Sequence, residues 1–272
     1  MAGWLACIVV LTVVGREAQR EISVFQVMEV RSLLGICLLY PLIRRDGGFR
    51  AMRTGNIGRQ ILRNTVHYGA QCCWLSALTM IPLAQVISIE FTMPIWTAIL
   101  AVAFLGERMG PWKTTAVVLG LVGVVIIVRP FGGTVSTGQL IALVAAMGYA
   151  TSVILVKSLT RTDRVLVIMF WMVVIQSTLG IGPAIATWQW PSAATWGLLL
   201  VIGFCGTYSH YCLTQALLNA DATIVVPMDF LRVPLAALTG WLIYMERIDL
   251  LTAAGAALIL SGNLLNLKAA KS

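Results

Sequence analysis

Seven ionisable residues interrupt otherwise apolar stretches of this 272-residue chain: Glu29, Arg31, His67, Glu90, His210, Asp229 and Arg232. A charge held in hydrocarbon is costly, so each is expected to face a partner or a cavity and marks a working site by default. Asp229 and Arg232 are three residues apart and share a helix face. Both signs of charge together suit a zwitterionic or amphoteric small molecule. The two histidines are groups that titrate near neutrality and admit a coupling proton. Gln71, Trp74, Tyr149, Tyr208, Tyr211 and Gln215 add amides and rings of the kind that line pockets for ring-bearing metabolites. Tyr208, Tyr211 and Gln215 follow i, i+3, i+7 and are expected on one face. Against this stands a plainer reading, in which Arg31–Glu90 and Asp229–Arg232 are permanent ion pairs and the aromatic residues are packing.

The same inventory argues against catalysis. HExxH and GxSxG are missing, and so is the phosphate-cradling GxxxxGK[ST]. Only His67 and His210 with Asp229 offer a catalytic set. The six cysteines lie singly or adjacent in apolar stretches, with no CxxC pair and no ligand spacing for a metal. No catalytic residue, metal or cofactor is therefore expected, and the chain is read as a non-enzyme. An intramembrane enzyme or a non-transporting accessory subunit is the alternative.

These residues need elements to hold them, and composition says which. Apolar residues make up 59% of the chain and charged ones 11%, with a mean hydropathy of +0.89. Soluble domains carry about 25% charged residues. Ten spans of a length to cross a bilayer run over 2–20, 26–43, 64–80, 84–106, 112–129, 138–158, 165–187, 194–216, 222–244 and 250–267. Residues 2–14 lack the basic flank and cleavage site of a signal peptide and read as the first membrane helix. The linkers leave no room for a soluble domain, so the partners are the lipid bilayer and a small molecule. The net charge of +8 sits in the breaks between spans rather than in a nucleic-acid patch. With the N-terminus in the cytoplasm, 13 Lys and Arg fall in inside segments and four (Arg16, Arg20, Arg129, Arg247) outside, a positive-inside pattern. Both termini are then cytoplasmic.

The chain also repeats itself at an offset of 139 residues. Ala77-Leu78 matches Ala216-Leu217, Glu90-Phe91 matches Asp229-Phe230, Glu107-Arg108 matches Glu246-Arg247, and Gly123 matches Gly262. Each copy holds five spans, and five is odd, so the second copy enters the membrane with opposite polarity. Inverted repeats of this kind let a carrier exchange outward-open and inward-open forms. A rise of 1.5 Å per residue puts Glu90 about 9 Å below the outer boundary, in one layer with Arg31. It puts Asp229, Arg232, His67 and His210 in the inner half. Arg31 and Glu90 are thus expected to line or latch an outer vestibule, and the other four an inner one.

Beyond its internal repeat, the chain carries a family resemblance. Val27–Gly35 with Arg31, the run from Pro82-Leu83-Ala84 to Pro94, Leu105–Arg108, Gly120–Pro130 and Pro227–Arg232 together resemble the drug/metabolite transporter superfamily, in particular its EamA-type members. The resemblance covers nearly the whole chain. It implies an all-α membrane protein of ten helices in two inverted five-helix repeats, residues 1–129 and 138–267 forming one membrane domain. It implies a secondary transporter that moves a small organic metabolite across a bacterial inner membrane by alternating access, as a monomer or homodimer. The family's first helix is longer than the 14 residues before Gly15, so either it continues through Arg16, Glu17, Arg20 and Glu21 or more chain precedes it.

Overall fold

A computed structural model describes residues 2–93, 95–97, 99–100, 111–128, 135–219, 232–246 and 249–269. They form ten α-helices: α1 (Ala2–Ala18), α2 (Val24–Arg45), α3 (Ile57–Met80), α4 (Leu83–Glu90), α5 (Pro111–Val128), α6 (Thr137–Leu159), α7 (Val165–Ala186), α8 (Ala193–Asn219), α9 (Arg232–Tyr244) and α10 (Leu250–Ala269). There is no β-strand among the described residues. In hydrocarbon each backbone N–H and C=O must be satisfied within its own segment, which selects helices. α2, α6, α7 and α8 are by themselves long and apolar enough to cross a membrane. Ile185, Leu200, Phe204, Trp241 and Leu242 are exposed. Outward-facing apolar residues at this density would aggregate in water and are solvated by lipid.

Local signals in the sequence place several helix ends. Ser23 caps α2 by accepting from the Gln26 N–H, and Ser136 with Gln139 forms a reciprocal capping box on α6. α1 continues through Gly15, Arg16 and Glu17 and ends at Ala18, so Arg20 and Glu21 lie in the turn that follows it. Two helices depart from expectation. α3 begins at Ile57, seven residues before the predicted span, since Arg59, Gln60 and Arg63 in its first two turns break the apolar run without breaking the helix. α4 ends at Glu90, where a turn at Phe91–Thr92 follows. Pro94 has no N–H to give the Glu90 carbonyl, so an uninterrupted helix is disfavoured there. Residues 101–106 and 222–231 of the expected spans four and nine lie outside the described residues.

Packing follows the duplication. The 139-residue offset carries α1, α2, α3 and α5 onto α6, α7, α8 and α10. α3 lies along α6 and α8 along α1, while α2 pairs with α7 and α5 with α10. Exchanging the halves therefore returns the same set of contacts. The α5–α10 crossing is close because a Cβ at Gly123 would stand 2.7 Å from the Gly255 carbonyl oxygen, and one at Gly255 equally near that of Gly123. The main core lies among α1–α6, α8 and α10, and a smaller one joins α2 to α7.

The ends of the bundle are tied by equivalent loops. At one end the α1–α2 loop meets the α7–α8 loop. Ser23 Oγ lies 2.7 Å from Thr187 Oγ1, Gln26 donates to the Gln189 carbonyl, and Glu21 accepts from Ser192 and Thr195. Beside them Arg16 pairs with Glu246, which also accepts from the Leu83 N–H at 2.9 Å. At the other end the α2–α3 loop meets the α6–α7 loop. Arg164 pairs with Asp46 at 2.9 Å, and Asp163 accepts from Thr54 and Gln60.

The hydroxyl of Thr195 and both the N–H and hydroxyl of Ser192 hold the Glu21 carboxyl below its usual value of 4.5. A lowered native pKa stabilises the folded form above the unfolded value and loses that effect as pH falls. The melting temperature of the wild type should thus fall towards that of Glu21→Gln between about pH 5 and about pH 3. A constant gap between the two across that range would show that the Glu21 contacts do not hold this end together.

Candidate functional site

Five of the seven ionisable residues of the apolar stretches, Arg31, His67, Glu90, His210 and Arg232, gather inside the bundle, contributed by both halves. Glu90, at the end of α4, accepts from Arg232 at the start of α9 (3.0 Å) and from the Trp74 indole of α3 (2.8 Å). This ion pair is buried, with side-chain exposures of 6% for Arg232 and 11% for Glu90. The Arg232 guanidinium also lies 5.1 Å from the Phe91 ring and 5.9 Å from the Trp4 ring, within range of attraction to both. One charge of each repeat thus meets one of the other.

Arg31 has a different partner from the one expected. It donates to the Gln71 side-chain carbonyl at 2.8 Å and contacts the Met28 sulfur at 3.7 Å. Its guanidinium rests against Gly206 of α8, where a Cβ would stand 2.5 Å from Nε. Glycine is what lets the cation lie between the helices. The expected Arg31–Glu90 pair is therefore replaced by Arg232–Glu90. So is the division into an outer and an inner layer, since Glu90 and Arg232 meet. Rise along a helix ranks residues by depth, but which neighbour a side chain turns towards depends on the rotation of each helix about its axis.

The histidines come together. His67 of α3 and His210 of α8, equivalent helices in the two halves, have ring centroids 5.3 Å apart. His67 Nδ1 lies 3.1 Å from Ser152 Oγ, and the Tyr149 ring is 5.5 Å from the imidazole. Tyr149 is within electrostatic range of Glu90, Arg31 and Arg232. Arg31, His67, Gln71, Trp74, Glu90, Tyr149, His210 and Arg232 thus form one neighbourhood.

Two of the expected residues turn away from it. Tyr208 and Tyr211 are exposed, and Tyr208 stacks on Phe204 at 5.5 Å on the outer face of α8. The i, i+3, i+7 spacing does put both tyrosines on one face. However, it is the face beside the one that α8 turns inward through Leu199, Ile202, Cys205 and Ser209. Gln215 is half-buried one turn beyond them. Asp229 lies outside the described residues, as do Pro94 and Pro227.

The sequence reading missed Arg63. Hydropathy puts it before the third span, among the 13 inside cations, yet it lies in the second turn of α3 with 4% exposure. Gln60 and Asn64 are buried beside it. Gln60, Asn64, His67, Gln71 and Trp74 recur at helical spacing, a polar stripe that a span started at residue 64 cuts short. Glu29 is also buried, and it accepts from Ser177 of α7 at 2.6 Å.

The model of the EamA-like transporter family matches this chain twice, over residues 2–129 and 136–268. The chain belongs to the EamA-like transporter family. Among its relatives, a riboflavin transporter of Rhizobium johnstonii is 33% identical over 225 residues, covering 82% of this chain and 74% of that protein. An S-adenosylmethionine uptake transporter of Rickettsia prowazekii is 25% identical, covering 88% of this chain and 81% of that one. A crystal structure 17% identical superposes with a TM-score of 0.70 over 99% of this chain and 96% of its own, which shows the fold alone. Family and fold make this EamA-like protein a multi-pass membrane transporter for a small molecule and not an enzyme.

Proposed function

We propose that this EamA-like transporter is a secondary carrier that binds a small organic metabolite at mid-depth and exposes it to each side of a bacterial inner membrane in turn. The observation that carries this reading is the buried polar neighbourhood built from both repeats, in a bundle whose two ends are tied by equivalent loop pairs. Releasing one set of ties while keeping the other opens the site to one side only, which is the requirement of alternating access. Arg31, His67, Gln71, Trp74, Glu90, Tyr149, His210 and Arg232 are assigned to binding or gating, with Asp229 as the repeat equivalent of Glu90. The two copies correspond to residues 1–129 and 138–267. Both termini are placed in the cytoplasm, since moving Arg63 into the bundle still leaves 12 inside cations against four outside. The relatives' names make riboflavin and S-adenosylmethionine the first compounds to try.

The test is counterflow in proteoliposomes, with a panel of labelled amino acids, nucleosides, riboflavin and S-adenosylmethionine. Saturable exchange of at least one compound is expected. Its absence, from protein shown to be folded and inserted, would overturn the carrier reading.

A further inference from the structure

Of the three arginines buried in the described helices, Arg232 meets the Glu90 carboxylate, whereas Arg31 and Arg63 meet none among the described residues. Both are more than nine-tenths buried. The nearest polar groups are neutral: Arg31 donates to Gln71, and Arg63 donates to the Asn64 side-chain oxygen. The Nε of Arg63 and the Nε2 of His67 have no hydrogen-bond partner among the described residues. His67 follows Arg63 by one helical turn on α3, and Gln71, which accepts from Arg31, follows His67 by another, while the His210 ring lies 5.3 Å from that of His67. A packing role does not explain two buried guanidiniums with no carboxylate partner among the described residues of an apolar bundle. Buried charges are kept where they are paired, and one left unpaired lowers stability.

We propose that Arg31 and Arg63, with His67 and Gln71 beside them, form an oxyanion subsite that holds a carboxylate or phosphate group of the transported metabolite. This rests on the carrier reading above and narrows its substrate to a class. Guanidinium groups suit such an anion because their N–H groups match carboxylate and phosphate oxygens in pairs. Gly206 leaves space for Arg31 to lie against α8, a helix of the opposite repeat. The anion is thus held by α2 and α3 of the first repeat, at a place where Arg31 lies directly against α8 of the second. The asymmetry of the repeats agrees with a polar head on one side of the substrate, since Phe170 stands at the position equivalent to Arg31.

The experiment measures binding to detergent-purified full-length protein, by thermal shift and by competition in counterflow, using compounds paired so that they differ in one anionic group. Flavin mononucleotide is set against riboflavin, nucleoside monophosphates against nucleosides, and amino acids against their amides. The anionic member of at least one pair should bind tenfold or more tightly than its neutral counterpart. Arg31→Gln and Arg63→Gln should each erase that preference, while Arg31→Lys and Arg63→Lys retain part of it. The ligand-free Arg63→Gln protein should melt no lower than the wild type, because an uncompensated buried cation has gone. A structural arginine would show the reverse.

Three results would overturn the subsite: neutral members binding as well as anionic ones, a preference that survives both glutamine variants, or no binding by any anionic compound. The first two can occur in a protein that still shows saturable counterflow, so they leave the carrier reading standing. Absence of flux for every compound in the wild type removes both.

Discussion

Glu90→Ala is expected to abolish counterflow and to destabilise the folded protein by about 3–5 kcal/mol, the usual cost of removing one member of a buried ion pair. The substitution takes away the carboxylate that Arg232 meets at 3.0 Å in a buried setting. It also takes away the acceptor of the Trp74 indole N–H, and an unsatisfied buried donor costs about 1–3 kcal/mol. A stability loss alone would not separate a working pair from a packing device. The double variant Glu90→Leu/Arg232→Leu does so. Replacing both members of a buried pair by apolar residues is often neutral or stabilising, so the double variant should regain most of the melting temperature. It should still fail to transport, because the two charges that join the repeats are gone. Wild-type counterflow from the double variant would make the pair a packing device and remove both residues from the site.

An equally large effect is expected from locking one end. In Ser23→Cys/Thr187→Cys the new thiols replace hydroxyls whose oxygens lie 2.7 Å apart, close to the spacing of about 2.0 Å that a disulfide requires. The bond would tie the α1–α2 loop to the α7–α8 loop covalently. Under oxidising conditions counterflow should fall more than tenfold, and a reductant should restore it. Each single-cysteine variant should be unaffected by the same treatment. The six native cysteines lie within α1, α2, α3 and α8, away from these loops. Undiminished flux through protein shown to be cross-linked would mean that this end does not open during transport. Alternating access through it would then fail.

The sequence by itself determined the solvent, the element type and the duplication. Charge is too scarce for a water-facing surface, so the chain had to cross a bilayer. A bilayer admits helices, and their lengths follow from its thickness. The 139-residue offset needs no structure to be seen, and in the folded bundle it reappears as α2 on α7, α5 on α10, and α3 on α6 beside α8 on α1. Glu90, Arg31, His67, His210 and Arg232 were visible as residues out of place in apolar runs. What they touch was not. That Arg232 and not Arg31 meets Glu90, that Tyr208 and Tyr211 face outward, and that Arg63 is buried were decided by tertiary structure. Hydropathy reads each span as an average, and helical rise gives depth along one axis only. Partner choice depends on how far each helix is rotated, which is set by close contacts such as Gly206 against Arg31 and Gly123 against Gly255. Those contacts join residues far apart in the chain, so no local pattern encodes them.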